Sequence, residues 1–220
     1  MCGKFTQTLA SATAVHLSEL LDSLAGGQDD TVTPMRFANV VTLDGAKQRK
    51  VVRMRWGLVP PGAKNPTAGR PHIHARAETV DTKPTFRDAF RYRRGLIAVS
   101  TFNEGKEITP TRTEQYVLTP QDGKPIAIAV IWERWREPNE TPLLSFAMVT
   151  VPANPLVATI TERMPALLAD GDWAKWLGEE PATIDELKAL LRTSDRGLDM
   201  HKAGKPPPPS KRNDDQPTFL

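Results

Sequence analysis

The chain has one cysteine in 220 residues. That scarcity excludes an internal disulfide framework and a zinc site built from several thiolates. Long apolar runs are missing too, and no stretch approaches the length of a membrane span. The opening MCGKFTQTLA lacks the apolar core of a signal peptide, so a cytoplasmic protein is expected. Net charge is nearly absent, with 29 Lys+Arg against 26 Asp+Glu leaving +3. That balance hides an asymmetry. Residues 46–94 hold thirteen Lys/Arg and three Asp/Glu, an excess of +10 that leaves −7 elsewhere. A basic half on a neutral whole reads as a surface for a polyanion. A solvated basic face explains the same charges, and charge alone does not separate the two.

Hydrophobic residues make up 39% of the chain and charged residues 25%, enough for one sizeable core. Residues 11–24 read as a helix with an apolar stripe of Val15, Leu17, Leu20, Leu21 and Leu24, ended by Gly26-Gly27. Residues 39–43 read as a short strand. Residues 50–58 alternate, with Val52, Met54, Trp56 and Leu58 inward and Arg53 and Arg55 outward, where arginines could line a groove. Residues 60–71 form a Pro/Gly-rich loop and 85–91 a short helix. Residues 95–100, 115–119, 125–132 and 144–151 read as strands. Thr183 and Glu186 form a capping box ahead of Leu187, Leu190 and Leu191, with Trp173 and Trp176 packed nearby. The pattern predicts an α+β fold: one compact domain over residues 1–200, built around a curved, mostly antiparallel, open-barrel-like sheet with flanking helices. Four consecutive prolines, Pro206 to Pro209, make residues 201–220 an extended segment that could dock on the domain.

Cys2 carries the most distinctive chemistry. A residue this small at position two predicts removal of Met1, leaving a free amine and a thiol on one residue. Such a 1,2-aminothiol attacks an aldehyde twice: the amine forms an imine, and the sulfur closes it to a thiazolidine. The α-amine titrates near 7.7–8.0 and the thiol near 8.5, so both are within reach of activation at neutral pH. Position alone favours the other reading, an incidental cysteine near a frayed terminus.

The motifs decide. Met1-Cys2-Gly3-Lys4-Phe5, Trp56-Gly57-Leu58 with Pro60, Ile73-His74-Ala75-Arg76-Ala77-Glu78-Thr79, Phe102-Asn103-Glu104, Asn154-Pro155-Leu156-Val157 and Arg163-Met164-Pro165 follow one another in order. Together with the closing Arg212-Asn213-Asp214-Asp215, this series resembles the SRAP family (SOS-response-associated peptidase domain). The resemblance implies a compact α+β domain that binds single-stranded DNA, crosslinks to the aldehyde of an abasic site in the DNA damage response, and has a peptidase character directed at residues ahead of the cysteine. It implies Cys2 as the source of amine and thiol, Glu104 as the proton-shuttling carboxylate, and Lys4, Arg76 and Arg163 as phosphate contacts. No cofactor or metal is expected, a monomer suffices, and the DNA-bound protein would sit with the nucleoid.

Four positions depart from the family pattern. Lys4 replaces an arginine, His74 an asparagine, Gly105 a tryptophan, and Thr161 a catalytic histidine ahead of Arg163-Met164-Pro165. Threonine hydrogen-bonds but does not exchange a proton near neutrality. Either His74 takes over proton transfer, because an ordinary histidine titrates there, or it fills only the asparagine's hydrogen-bonding place. His72, one strand period away, would share its face, but no third metal ligand accompanies the pair. Two other functions stay open: a non-covalent single-stranded DNA module, and an N-terminal-cysteine peptidase. Gln216 to Leu220 also faintly resembles a sliding-clamp peptide.

Overall fold

A computed structural model describes residues 2–7, 30–66, 71–136 and 142–204. The helix expected over 11–24, part of the 60–71 loop, the proline run and the clamp-like ending lie outside the described residues.

The centre is a closed ring of five strands: β3 (Phe37–Leu43), β4 (Arg49–Trp56), β6 (Arg94–Val99), β9 (Ile126–Trp135) and β10 (Leu143–Pro152). β4, β3, β6, β9 and β10 pair antiparallel in that order, and β10 returns to β4 in parallel through Ser145–Arg55 and Phe146–Trp56. An odd number of strands in a closed ring needs one parallel pair. β9 is apolar on both faces over IAIAVI, all six residues buried, because one face fills the barrel and the other is covered by helices. Those helices are α1 (Arg87–Tyr92), α2 (Trp173–Leu177) and α3 (Ile184–Leu190). Trp176 on α2 is fully buried against Phe90 of α1, and its indole donates to Gly95 O at 2.8 Å. The Thr183–Glu186 capping box starts α3.

A second sheet leans on the ring in the order β2 (Asp30–Val32), β1 (Lys4–Gln7), β7 (Thr101–Thr109), β8 (Arg112–Pro120) and β13 (Leu198–Lys202), with every neighbouring pair antiparallel. Three short strands line the ring's own edges. β5 (His74–Arg76) continues the β4 edge of β10 in parallel, β11 (Arg163–Pro165) continues its β9 edge, and β12 (Leu167–Leu168) pairs with β9. The domain is therefore the expected curved, mostly antiparallel α+β architecture, with the barrel closed rather than open.

Within β4, Met54 and Trp56 are buried and Arg53 is exposed, as the alternation requires, while Val52 is only half-buried. Arg55 does not line a groove. It is half-buried and donates to Pro66 O at 2.9 Å, fastening the 60–66 loop to the sheet.

Gly95 sits where β6 crosses β3, and a Cβ there would lie 2.7 Å from Val40 Cγ1 and 2.9 Å from the Val41 carbonyl oxygen. Both belong to the barrel wall and cannot swing away. Gly95→Ala is expected to cost about 1–3 kcal/mol by overpacking, read as a lower midpoint in chemical denaturation. An unchanged midpoint would show that the ring yields at this crossing.

Candidate active site

β1 has only four residues, and its two inward side chains hold it. Phe5 is fully buried with its ring 5.1 Å from that of Trp56. Gln7 reaches into the barrel wall, where its amide donates to Asn39 O at 3.0 Å and Ala98 O at 3.3 Å and accepts from Asn39 N at 3.0 Å. With the strand so fixed, antiparallel pairing to β7 aligns Lys4 with Asn103 and Phe5 with Phe102. The next step of that register carries the chain before Lys4 alongside Glu104.

Cys2 is therefore interior, at 1% exposure, and its thiol donates to Lys4 O at 3.5 Å. Glu104 is fully buried on β7. His74 opens β5, half-buried, with its ring edge-on to Trp56 at 6.1 Å. Trp56 thus forms a common wall, stacked on Phe146 at 6.4 Å and held by its own indole donating to Ile73 O. Among the described residues His74 Nε2 and Asn103 Nδ2 are buried without hydrogen-bond partners. Asn103 also turns its backbone amide to the Cys2 sulfur.

The electrostatics follow from this burial. Desolvation pushes the Cys2 thiol far above its ordinary range, the negative Glu104 adds to the shift, and the Lys4 and Asn103 backbone oppose it only in part. Desolvation likewise raises Glu104 from 4.5 to about 7, with the Cys2 backbone amide partly offsetting it. His74 moves the other way, from 6.5 to about 4, because burial disfavours its cation and a hydrogen bond to the Cys2 backbone compensates only partly. Glu104, not His74, titrates near neutrality, and the thiol is protonated there.

The other expected residues are placed as follows. Lys4 is half-buried in β1, and Arg76 is exposed at the end of β5. Arg163 is engaged: its guanidinium meets Glu78 in a two-pronged pair at 2.5 and 2.9 Å and donates to Thr150 O at 2.6 Å. Arg76 and Arg163 flank the same stretch of β10, since Thr150 pairs with Arg76 and Pro152 with Arg163. Thr161 is half-buried, with its backbone amide bonded to Val157 O at the close of a short 3-10 turn. His72 does not share His74's surroundings. It is exposed, with its ring edge-on to Phe86 at 5.7 Å. At Gly105 the space for a side chain is taken, because a Cβ would lie 2.7 Å from Thr113 Cγ2 and 3.1 Å from Gln115 Nε2. Gln7, Trp56, Glu78 and Asn103 were not singled out from sequence for these contacts. The polar Gln7 at an inward position of an apolar alternation was the available signal for one of them.

A closed barrel with a side sheet that brings a buried cysteine, a buried carboxylate and a half-buried histidine together defines a distinct class of domain. The chain belongs to the SOS response associated peptidase (SRAP) family, whose signature it matches over residues 1–205. It is 30% identical over 198 residues to abasic site processing protein YoqW of Bacillus subtilis, covering 89% of this chain and 88% of that one. It is 29% identical over 171 residues to abasic site processing protein HMCES of Xenopus tropicalis, spanning 66% of this chain and 50% of that protein. A crystal structure of a Bordetella bronchiseptica protein shares the fold with a TM-score of 0.74 at 21% identity, over 93% of this chain and all of the other. A Bacteroides thetaiotaomicron protein does so at 0.73 and 21%, over 91% of each chain. Among the described residues no helix is long and apolar enough to cross a membrane.

The two shifted groups make opposite contributions to stability. Glu104 binds its proton more tightly folded than unfolded, so its contribution declines as pH rises from 4.5 to about 7. His74 binds its proton more weakly folded, so its contribution is lost as pH falls from 6.5 toward 4. Relative to wild type, Glu104→Gln is expected to gain stability progressively between pH 4.5 and 7, and His74→Asn to gain it between 6.5 and 4. Urea denaturation at stepped pH reads both differences. Flat difference curves would contradict the burial of these groups.

Proposed function

We propose that the protein captures abasic sites in single-stranded DNA through Cys2 once Met1 has been removed. The observation that carries this reading is the convergence of the Cys2 nitrogen and sulfur with a buried carboxyl that titrates near pH 7. Its relatives' names, abasic site processing proteins, supply the substrate class.

With Met1 gone, the nitrogen that faces Glu104 becomes a primary amine. It attacks the aldehyde carbon of the ring-opened sugar to give a carbinolamine. Protonated Glu104 donates to the departing hydroxyl, water leaves, and an iminium remains. The Cys2 thiol then passes its proton to the Glu104 carboxylate as sulfur bonds to the iminium carbon. The thiazolidine closes, one water has been lost, and Glu104 has its proton back. The high pKa of the buried thiol orders these steps, since sulfur acts only after the iminium and the freed carboxylate are in place.

His74 is neutral throughout this range. Its part is the asparagine's: the unpartnered Nε2 accepts a hydrogen bond from a hydroxyl of the opened sugar, rather than shuttling a proton. Thr161 contributes hydrogen bonding where the family histidine would exchange protons. Lys4, Arg76 and Arg163 take the flanking phosphates, with Arg163 exchanging Glu78 for phosphate on binding. The same carboxyl faces the Cys2 nitrogen, which supports a self-processing peptidase step that releases Met1 by hydrolysis.

Intact mass spectrometry tests this. Protein mixed with single-stranded DNA bearing one abasic site should gain the mass of the strand less one water. Cys2→Ala, and wild type with undamaged DNA, should gain nothing. Wild type that has lost Met1 and binds the strand yet shows no adduct would leave a non-covalent module.

A further inference from the structure

The basic segment is divided by the fold into two populations. Arg49 is paired with Glu179, Arg93 with Glu133, and Arg94 donates to three carbonyls, those of Trp176, Phe90 and Arg91. These charges hold the barrel to its helices. Lys83, Arg87 and Arg91 are different. They recur every four residues along the turn leading into α1 and along α1 itself, so they form one stripe, and all three are exposed. The stripe is helical from its start, because the amides of Phe86 and Arg87 bond to Lys83 O. Among the described residues Lys83 and Arg91 have no ion-pair partner, and Arg87 meets only the adjacent Asp88 at 3.5 Å, an exposed pair of small worth. The opposite face of α1 is fixed, with Phe86, Ala89 and Phe90 buried, so the stripe cannot turn inward.

Its near end adjoins the candidate site. Phe86 touches His72, which leads directly into His74 and Arg76 of β5, and Lys83 is close enough to depress the His72 pKa alongside burial. Four residues rise about 6 Å along a helix, so successive cations stand far enough apart to meet different phosphates of a single strand, whose phosphates lie ~3.4 Å apart along a duplex axis and farther when the strand is extended.

We propose that Lys83, Arg87 and Arg91 form a phosphate track that carries the DNA strand away from the capture site along α1. It rests on the capture reading and adds to it a direction and a length of strand beyond Arg76. The track reads no sequence, since it meets only the backbone.

The test compares the Lys83→Gln/Arg87→Gln/Arg91→Gln variant of the full chain with wild type and with Arg53→Gln, an exposed charge on β4. Fluorescence anisotropy measures binding to single strands of about five and about twenty nucleotides, each with one central tetrahydrofuran abasic analogue, over a salt series. Adduct formation on a true abasic strand of the shorter length is followed in parallel. The triple variant should bind the long strand at least about tenfold more weakly, with the log–log salt slope shallower by about 2. Its binding to the short strand and its adduct yield should match wild type, and Arg53→Gln should be indistinguishable throughout. Unchanged affinity and slope on the long strand, with adduct formation intact, would overturn the track alone. Equal losses on both strands would overturn it as a track and make the charges part of the capture site. Wild type that forms no adduct and binds neither strand would overturn the capture reading and the track with it.

Discussion

A four-residue strand bears most of the site. β1 is too short to be stable by its own ladder, and it is held instead by two side chains that enter the barrel. Phe5 packs on Trp56, and Gln7 exchanges hydrogen bonds with the backbone of β3 and β6. Burying a primary amide this deeply is tolerable only because both its oxygen and its nitrogen are satisfied. The return is registration. Once Phe5 lies opposite Phe102, the residues before Lys4 can only run beside Glu104.

Burial then does the chemical tuning. One desolvated pocket raises a carboxyl, raises a thiol and lowers an imidazole, each in the direction that removes its charge. The result is a site with little standing charge and one group poised near neutrality. That economy bears on Thr161, which stands where the sequence resemblance leads one to expect a histidine. On the capture proposed above, a buried carboxyl that both gives and takes a proton near pH 7 covers the proton traffic of imine formation and ring closure without a second titrating partner.

Much of the barrel was legible in the sequence. The alternation through Met54 and Trp56, the apolar run Ile126 to Ile131 and the Thr183–Glu186 box each signal their element locally. β1, β5, β11 and β12 were not legible, because strands of two to four residues exist through partners far along the chain. Closure of the ring rests on the parallel pairing of β4 with β10, which no local pattern announces. At the site, Cys2 is legible from its place at position two, His74 and Glu104 only through family motifs, and the nearness of the three could not be read from spacings of 72 and 30 residues. Nor could the direction of the His74 shift, since an isolated histidine suggests a neutral-pH shuttle and its burial in the folded chain takes it to about 4. The basic segment shows the same limit: composition counted thirteen cations alike, whereas the fold spends Arg55, Arg93 and Arg94 on internal carbonyls and carboxylates.

The most direct test is the titration of the Glu104 side-chain carboxyl, followed by carbon NMR in wild type and in a Phe5→Ala/Gln7→Ala variant that loosens β1. A wild-type midpoint near pH 7, falling toward the ordinary 4.5 in the variant, is the result expected if β1 anchoring creates the buried carboxyl. A wild-type midpoint already at 4.5 would contradict it, leaving a solvated glutamate beside Cys2 with no capacity to move protons at neutral pH.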